Sequence, residues 1–226
     1  MLTLLSDWTI LAHALGALLA VSVGIFRWFH LTLSLKILLI YICLLPFWDV
    51  FNILFLEGGA NDVLALNVIR ILEMITLGLA YILQLPEGTL KKITLIISGG
   101  AVLFGITNLL FLQGSNLGNT FTQYLAIALS LYLGLAYIHS YEFEEGSYRV
   151  LLTPWFILSM AVIAVNLSEV LHLWLLNNQY KLQALPLGTI VRSFKVVEVV
   201  FLLFCVTAYW RQVHSKETSS STWLTR

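Results

Sequence analysis

The sequence predicts an all-α, polytopic membrane protein: a bundle of seven transmembrane helices with its N-terminus outside and its C-terminus in the cytoplasm. Three observations predict it: the composition, a series of seven apolar stretches, and an uneven distribution of basic residues. Hydrophobic residues make up 59% of the 226 positions, and charged residues only 11%. A soluble domain carries about 25% charged residues. This chain therefore has too little polar surface to face water on all sides.

Seven apolar stretches lie between short segments rich in Gly, Asn, Pro and Glu, which are typical of turns. They cover residues 8–29, 33–56, 64–85, 93–112, 121–141, 151–176 and 186–210. About 20 apolar residues cross the hydrocarbon core as a helix, so seven spans occupy nearly the whole chain. We expect one transmembrane domain over residues 1–211. The polar, Ser- and Thr-rich residues 212–226 are expected to form a flexible cytoplasmic tail.

Basic residues are concentrated at alternate ends of the predicted helices. Those that follow helices 1, 3 and 5 or lie in the tail are Arg27, Lys36, Lys91, Lys92, Arg149, Arg211, Lys216 and Arg226. The N-terminus and the other joints hold only Lys181. Because basic residues remain on the cytoplasmic side of a membrane, this asymmetry predicts the orientation given above. The predicted location is the cytoplasmic (inner) membrane, crossed several times.

Strongly polar residues nevertheless fall within the predicted spans, mostly in the outer half of the membrane. The candidate site residues are Asp49, Asn52, Arg70, Glu73, Asn108, Glu169, His172, Arg192, Lys195 and Glu198. A charge at the centre of a membrane helix costs roughly 2.5–3.5 kcal/mol on insertion scales, so these side chains should face the bundle interior and pair. Several are spaced at i, i+3, which places them on one helix face.

Two interpretations of these residues stay open. They could form a structural network of ion pairs and hydrogen bonds that fixes how the helices rotate and pair. They could also surround an outward-facing pocket for a polar or anionic ligand. In either case we expect Glu73 to pair with a base, which would be Arg70, Arg192 or Lys195.

One lesser alternative is a retinal-binding photoreceptor. Lys195 on helix 7, with Arg70 and Glu73 on helix 3, resembles the microbial rhodopsins, where a lysine Schiff base faces a helix-3 carboxylate. The chain departs from that pattern at Val191, where those proteins have an acid, and at the bulky Phe194. Helix 6 also lacks the aromatic-and-proline pocket pattern of those proteins. We therefore expect no cofactor, with retinal on Lys195 as the lesser alternative.

Metal, enzyme and nucleic-acid functions have little support in the sequence. The Glu169-x-x-His172 pattern resembles half of a di-iron motif, but no second such pair is present. No hydrolase signature is present either, so we do not expect an enzyme. A formal net charge of zero gives no reason to expect nucleic-acid binding. Cys43 and Cys205 lie in apolar stretches and are expected to be buried small hydrophobes.

Three segments resemble a group of small seven-helix membrane proteins of Bacteroidetes-type bacteria, some joined to histidine-kinase or other signalling modules. They are residues 66–73 (LNVIRILE), 106–114 (ITNLLFLQG) and 155–176. The resemblance implies a sensory or signalling membrane module with a shared helix-3 carboxylate, here Glu73. This chain carries no kinase, so its output would need a separate cytoplasmic partner. The Arg192 and Lys195 pair is not carried over from that group.

We therefore expect a receptor-like membrane sensor that is embedded in the lipid bilayer and acts on a cytoplasmic signalling partner. The alternatives are a small transporter or channel subunit and a structural subunit of a membrane complex. The inner half of the predicted bundle has few polar residues beyond hydroxyls such as Thr76, Ser98 and Ser159. This disfavours conduction, which needs a polar or hydrated path throughout.

Overall fold

The computed structural model describes residues 8–43, 60–112, 120–140, 153–182 and 187–221. Within these ranges it forms seven helices and no strand, which confirms the predicted all-α class. The helices are α1 (Trp8–Phe26), α2 (Leu33–Cys43, as far as described), α3 (Ala60–Gln84), α4 (Thr89–Thr107), α5 (Thr120–Ser140), α6 (Pro154–Leu182) and α7 (Leu187–Ser221).

Local sequence explains several helix ends. Pro154 is the first residue of α6, where its missing N–H would have no partner inside the helix. The Thr153 side chain precedes it and accepts a hydrogen bond from the Phe156 amide at 3.3 Å, which caps the helix. α4 continues into a π-helical turn over Asn108–Leu112, and α1 is followed by a 3₁₀ turn over Trp28–His30.

Four of the described helices are long and apolar enough to cross a membrane. Their qualifying windows are Asn67–Gln84 in α3, Thr89–Phe111 in α4, Phe121–Ser140 in α5 and Pro154–Leu175 in α6. Large apolar side chains such as Leu15, Ile96 and Phe111 are exposed on the outer surface of the helices. A water-soluble protein rarely exposes so much contiguous apolar surface. These features are those of a helical membrane protein.

Six helices contact one another in succession around the bundle, in the order α1, α2, α3, α5, α6, α7 and back to α1. α1 and α2 approach closely at Gly24, where an added Cβ would lie 2.5 Å from a methyl of Leu39. α2 and α3 are joined by a hydrogen bond from Ser34 to Gln84 at 3.2 Å. α4 packs outside this ring against α3 and α5, and only 28% of its apolar window is buried, against 50% in each of those helices.

One half of the bundle has an aromatic core, and we call it the aromatic half. Tyr81 of α3 packs edge-to-face against Tyr137 of α5 and Trp155 of α6, with ring centroids 6.1 and 5.3 Å apart. The Tyr81 hydroxyl donates a hydrogen bond to Ser159 at 3.2 Å. All four side chains are buried. The other half contains Arg70, Glu73 and Glu169, and we call it the charged half.

Three details differ from the sequence predictions. α7 continues as a helix to Ser221, past the predicted end of the seventh apolar stretch at residue 210. α6 likewise runs to Leu182, beyond the predicted end at residue 176. Cys205 is buried as expected, but Cys43 is exposed because it lies on the outer face of α2.

Candidate functional site

Three charged side chains in the charged half form a contact set that we call the Arg70 triad: Arg70, Glu73 and Glu169. The Nη1 atom of Arg70 donates to Oε2 of Glu73 at 2.7 Å, and its Nη2 atom donates to Oε1 of Glu169 on α6. Each carboxylate residue is only 5% exposed, whereas the Arg70 side chain is 19% exposed. One guanidinium therefore holds an acid on its own helix and an acid across the bundle, and the predicted pairing of Glu73 with a base is confirmed.

Two neutral side chains connect the triad to further helices. The Tyr41 hydroxyl of α2 donates to Oε1 of Glu73 at 3.3 Å. The Gln123 amide of α5 donates to Oε1 of Glu169 at 3.1 Å. Four helices thus meet at the triad. Hydrogen bonds to carboxylates are stronger than those between neutral groups, so these contacts fix the positions of both acids.

A second set of charged residues, which we call the Lys195 cluster, joins α1 to α7. The Lys195 ammonium lies 2.8 Å from Oε2 of Glu198, one turn along α7. The His13 ring of α1 places Nε2 at 3.5 Å from the same oxygen and is only 1% exposed. Tyr41 also packs edge-to-face against Phe201 of α7, at 6.5 Å between ring centroids. Tyr41 therefore contacts both the triad and α7, the helix that carries Lys195 and Glu198.

Two other predicted site residues make contacts outside the triad. Asn108, at the start of the π-helical turn, donates a hydrogen bond to the Thr122 hydroxyl at 3.2 Å and so joins α4 to α5. His172 stacks on Phe194 of α7, with ring centroids 5.1 Å apart. The i, i+3 spacing of Glu169 and His172 therefore leads to two different partners, Arg70 and Phe194.

Asp49, Asn52 and the side chain of Arg192 lie outside the residues and side chains that the structure describes. Tyr41 and His13 also belong to the polar contacts, although the sequence did not predict them as site residues. Both sit in apolar stretches, where a tyrosine counts as an apolar residue. A buried Tyr hydroxyl usually finds a hydrogen-bond partner, which is the signal that could have identified Tyr41.

Two buried donors beside the triad have no hydrogen-bond partner in the described part of the chain: Nδ2 of Asn67 and Nε of Arg70. Asn67 is 1% exposed and lies one turn before Arg70 on the same face of α3. Buried donors without a partner are rare in folded proteins, since each loses its hydration without compensation.

Among the side chains that the structure describes, no group of three or more His, Cys, Asp or Glu is arranged to hold a metal ion. Lys195, the residue considered for retinal, has its ammonium in the ion pair with Glu198. The two carboxylates of the triad can instead exchange hydrogen bonds and protons, with the guanidinium of Arg70, the phenol of Tyr41 and the amide of Gln123 as their donors.

Comparison with known proteins gave no relative: no family model, no curated protein and no solved structure matched this chain. The likeness to the Bacteroidetes-type seven-helix proteins stays a prediction that rests on the three segments quoted above. In the structure, these segments contain Arg70 and Glu73 of α3, Asn108 after α4, and Glu169 of α6.

Proposed function

We propose that this chain is a receptor-like membrane sensor that crosses the cytoplasmic membrane seven times, with its N-terminus outside. A polar ligand or a proton that reaches the charged half from outside changes the Arg70 triad and thereby moves α6 relative to α3. The observation that supports this most directly is the guanidinium of Arg70, which binds Glu73 on α3 and Glu169 on α6 at the same time.

Such a contact suits a switch because its energy depends strongly on geometry. Both carboxylate residues are buried, and a buried ion pair that loses one partner is strongly destabilised. A group that competes with Arg70 for Glu169 therefore favours a different packing of α6. Packed helices respond to such competition with discrete shifts, because a close-packed interior does not deform continuously.

α7 provides the path by which this movement reaches the cytoplasm. It packs against both α6 and α1 and carries Lys195 and Glu198. Its 35 residues correspond to about 52 Å of helix, more than the roughly 30 Å needed to cross the hydrocarbon core. Trp210 lies beside Arg27, just after the end of α1, at 4.3 Å from the guanidinium carbon to the ring centroid. The last turns of α7 therefore extend past α1, where a separate signalling partner can bind them.

A transporter or channel subunit has less support from the same structure. Conduction requires a polar or hydrated path along the whole route. In the aromatic half, Tyr81, Tyr137 and Trp155 fill the space between α3, α5 and α6 and are at most 3% exposed. The charged half thus ends at a packed aromatic layer, which suits a sensor better than a conduit.

The proposal can be tested without knowing the ligand, by measuring whether the triad controls the position of α7. Spin labels at His139→Cys on α5 and Lys216→Cys on α7 report the distance between these helices. The protein carries Cys43→Ala and Cys205→Ala and is held in lipid nanodiscs. Glu169→Gln removes the charge that Arg70 shares between α3 and α6. We expect the distance to change by about 2–5 Å, the range of helix shifts in switching proteins.

The matched control is Glu87→Gln, which removes an exposed carboxylate that pairs with Lys91 at 2.7 Å. It should leave the distance unchanged. A second variant, Gln123→Leu, removes only the hydrogen bond to Glu169 and should give a smaller change in the same direction. If folded Glu169→Gln protein has the wild-type distance distribution, the triad is a structural link of the bundle and the sensor proposal is wrong.

A further inference from the structure

α4 packs against the outside of the bundle, and a groove lies on each side of it, against α3 and against α5. The first, which we call the α3–α4 groove, has a volume of about 290 Å³ and is lined by α3 residues between positions 74 and 82. From α4 it is lined by Leu95, Ser98, Gly99, Val102, Leu103 and Ile106. Apart from the Ser98 hydroxyl, the described side chains that line it are apolar.

Two glycines determine the shape of this groove. At Gly78 an added Cβ would lie 3.2 Å from Cβ of Ser98, so α3 and α4 approach each other closely there. At Gly99 an added Cβ would meet nothing within 4 Å, so this part of α4 faces open space. Leu95 and Leu103, one turn before and after Gly99, are exposed apolar side chains. An apolar chain can therefore enter the groove from the side of the bundle.

Two lysines follow the groove at the N-terminal end of α4. Lys92 precedes Leu95 by three residues and Lys91 precedes it by four, which places both on the helix face that lines the groove. Lys92 is exposed, and Lys91 pairs with the exposed Glu87 at 2.7 Å. The turn between α3 and α4 and the first turn of α4 thus carry two positive charges and one negative charge. One end of the apolar groove is therefore basic.

We propose that the α3–α4 groove binds an anionic phospholipid, with one acyl chain in the groove and the phosphate beside Lys92. About 21 Å of helix separates Lys92 from Ile106, whereas one leaflet of hydrocarbon is roughly 15 Å deep. An acyl chain whose headgroup lies at Lys92 therefore has the groove beside it over most of its length. Basic residues between membrane helices bind anionic headgroups in this way. The site requires neither the sensor function nor a particular orientation of the protein.

Two other occupants fit the groove less well. A zwitterionic phospholipid could place a chain in it, but this lipid carries no net charge to match the lysines. A second copy of the chain would use the same face on both molecules of a symmetric dimer. Lys91 and Lys92 of the two copies would then lie at the same depth in the membrane and repel each other. The basic end of the groove therefore favours an anionic lipid over both.

The other side of α4 provides a matched control. The groove between α4 and α5 has a volume of about 360 Å³, and its lining includes Ile97 and Gly100 of α4. An added Cβ at Gly100 also meets nothing within 4 Å. One turn before Ile97, however, this face carries Ile93 and Thr94 instead of lysines. Leucine at Gly99 therefore fills the groove that ends at lysines, and leucine at Gly100 fills the one that does not.

The test titrates the delipidated full chain in detergent with dioleoyl phosphatidylglycerol or dioleoyl phosphatidylcholine and counts the bound lipids by native mass spectrometry. We expect one saturable site that binds phosphatidylglycerol about fivefold or more tightly than phosphatidylcholine. Lys92→Gln should weaken phosphatidylglycerol binding about fivefold, because each basic side chain near an anionic headgroup adds to the affinity. Gly99→Leu should weaken it about tenfold or more, and Gly100→Leu should leave it unchanged.

Lys36→Gln is the control for charge. Lys36 of α2 lies over the Trp28 ring at 5.1 Å, at the end of the bundle where Ser34 bonds to Gln84, and it does not line the groove. Equal affinities for the two lipids, or equal losses in Lys92→Gln and Lys36→Gln, would overturn the proposal. Phosphatidylglycerol binding that survives Gly99→Leu would also overturn it, as would a dimer that Gly99→Leu dissociates, because a second copy would then occupy the groove. Lys92→Gln changes only an exposed side chain, so this comparison is valid even if Gly99→Leu protein does not fold.

Discussion

Arg70 of α3 contacts Glu169 of α6 across the bundle while its other terminal nitrogen holds Glu73 on its own helix. A single guanidinium therefore stabilises two buried carboxylates on different helices. Removing either acid leaves Arg70 with a partner, but removing Arg70 leaves two buried negative charges next to each other. This asymmetry makes Arg70 the member of the triad whose loss should affect stability most.

We predict that Arg70→Met destabilises the bundle by about 3–5 kcal/mol, the usual loss when a buried ion pair is broken. The free energy of unfolding can be measured by titrating the protein in mixed micelles with a denaturing detergent. Lys91→Met is the control, because Lys91 pairs with the exposed Glu87 and should contribute no more than about 1 kcal/mol. If both variants lose the same small amount of unfolding free energy, water solvates the carboxylates of the triad.

The sequence was sufficient to predict the all-α class, the apolar helices and the local part of the site. Helix positions follow from the lengths of the apolar stretches, and the contact between Arg70 and Glu73 follows from their i, i+3 spacing. The extension of α7 to Ser221 was not predicted, because a polar composition fits both a loose tail and a solvated helix.

Contacts between helices were less predictable, because they depend on how each helix is rotated against its neighbours. The spacing of Glu169 and His172 suggested that they act together, but they face Arg70 and Phe194 respectively. The approach of His13 to Glu198 joins the first helix to the last, and no local pattern in the sequence encodes it. Tyr41 was missed for the same reason.

Two glycines in the apolar part of the bundle should respond in opposite directions to the same substitution. A Cβ at Gly134 would lie 2.8 Å from Ile163 and 3.3 Å from the Ser159 carbonyl, so α5 and α6 would have to separate. A Cβ at Gly99 would meet nothing within 4 Å. We predict that Gly134→Ala destabilises the protein by about 1–3 kcal/mol, as overpacking does.

Gly99→Ala should instead stabilise α4 by up to about 1 kcal/mol, because alanine favours the helix more than glycine does. Both variants can be compared by the same detergent titration. Equal stabilisation by the two substitutions would contradict the close packing of α5 against α6. The higher helix propensity of alanine would then explain both effects.

The proposed orientation predicts which loops react with reagents added from outside the cell. In a Cys43→Ala, Cys205→Ala background, a cysteine at Ser115 should be labelled by a membrane-impermeant maleimide, because the α4–α5 connection lies outside. A cysteine at Glu145 should be protected until the membrane is permeabilised. The motivation is the concentration of basic residues on the other side. If only position 145 is labelled from outside, the protein has the opposite orientation to the one proposed.

The last prediction separates a hydrated site from a dry structural link at the Lys195 cluster. The side chains of Lys195 and Glu198 are 17% and 13% exposed, and His13 is a second neighbour of the Glu198 carboxylate, with Nε2 at 3.5 Å from Oε2. We therefore expect Lys195→Met to lower the free energy of unfolding by roughly 1–2 kcal/mol, a value between those for exposed and buried ion pairs. This loss is smaller than the one expected for Arg70→Met. If the charged half is hydrated, as the sensor proposal requires, Lys195→Cys should react with a small water-soluble thiol reagent. The two measurements are the detergent titration and the labelling rate, with Cys205, which is buried, as the unreactive reference. If Lys195→Met is as destabilised as Arg70→Met and Lys195→Cys is inert, the cluster is a dry link between α1 and α7.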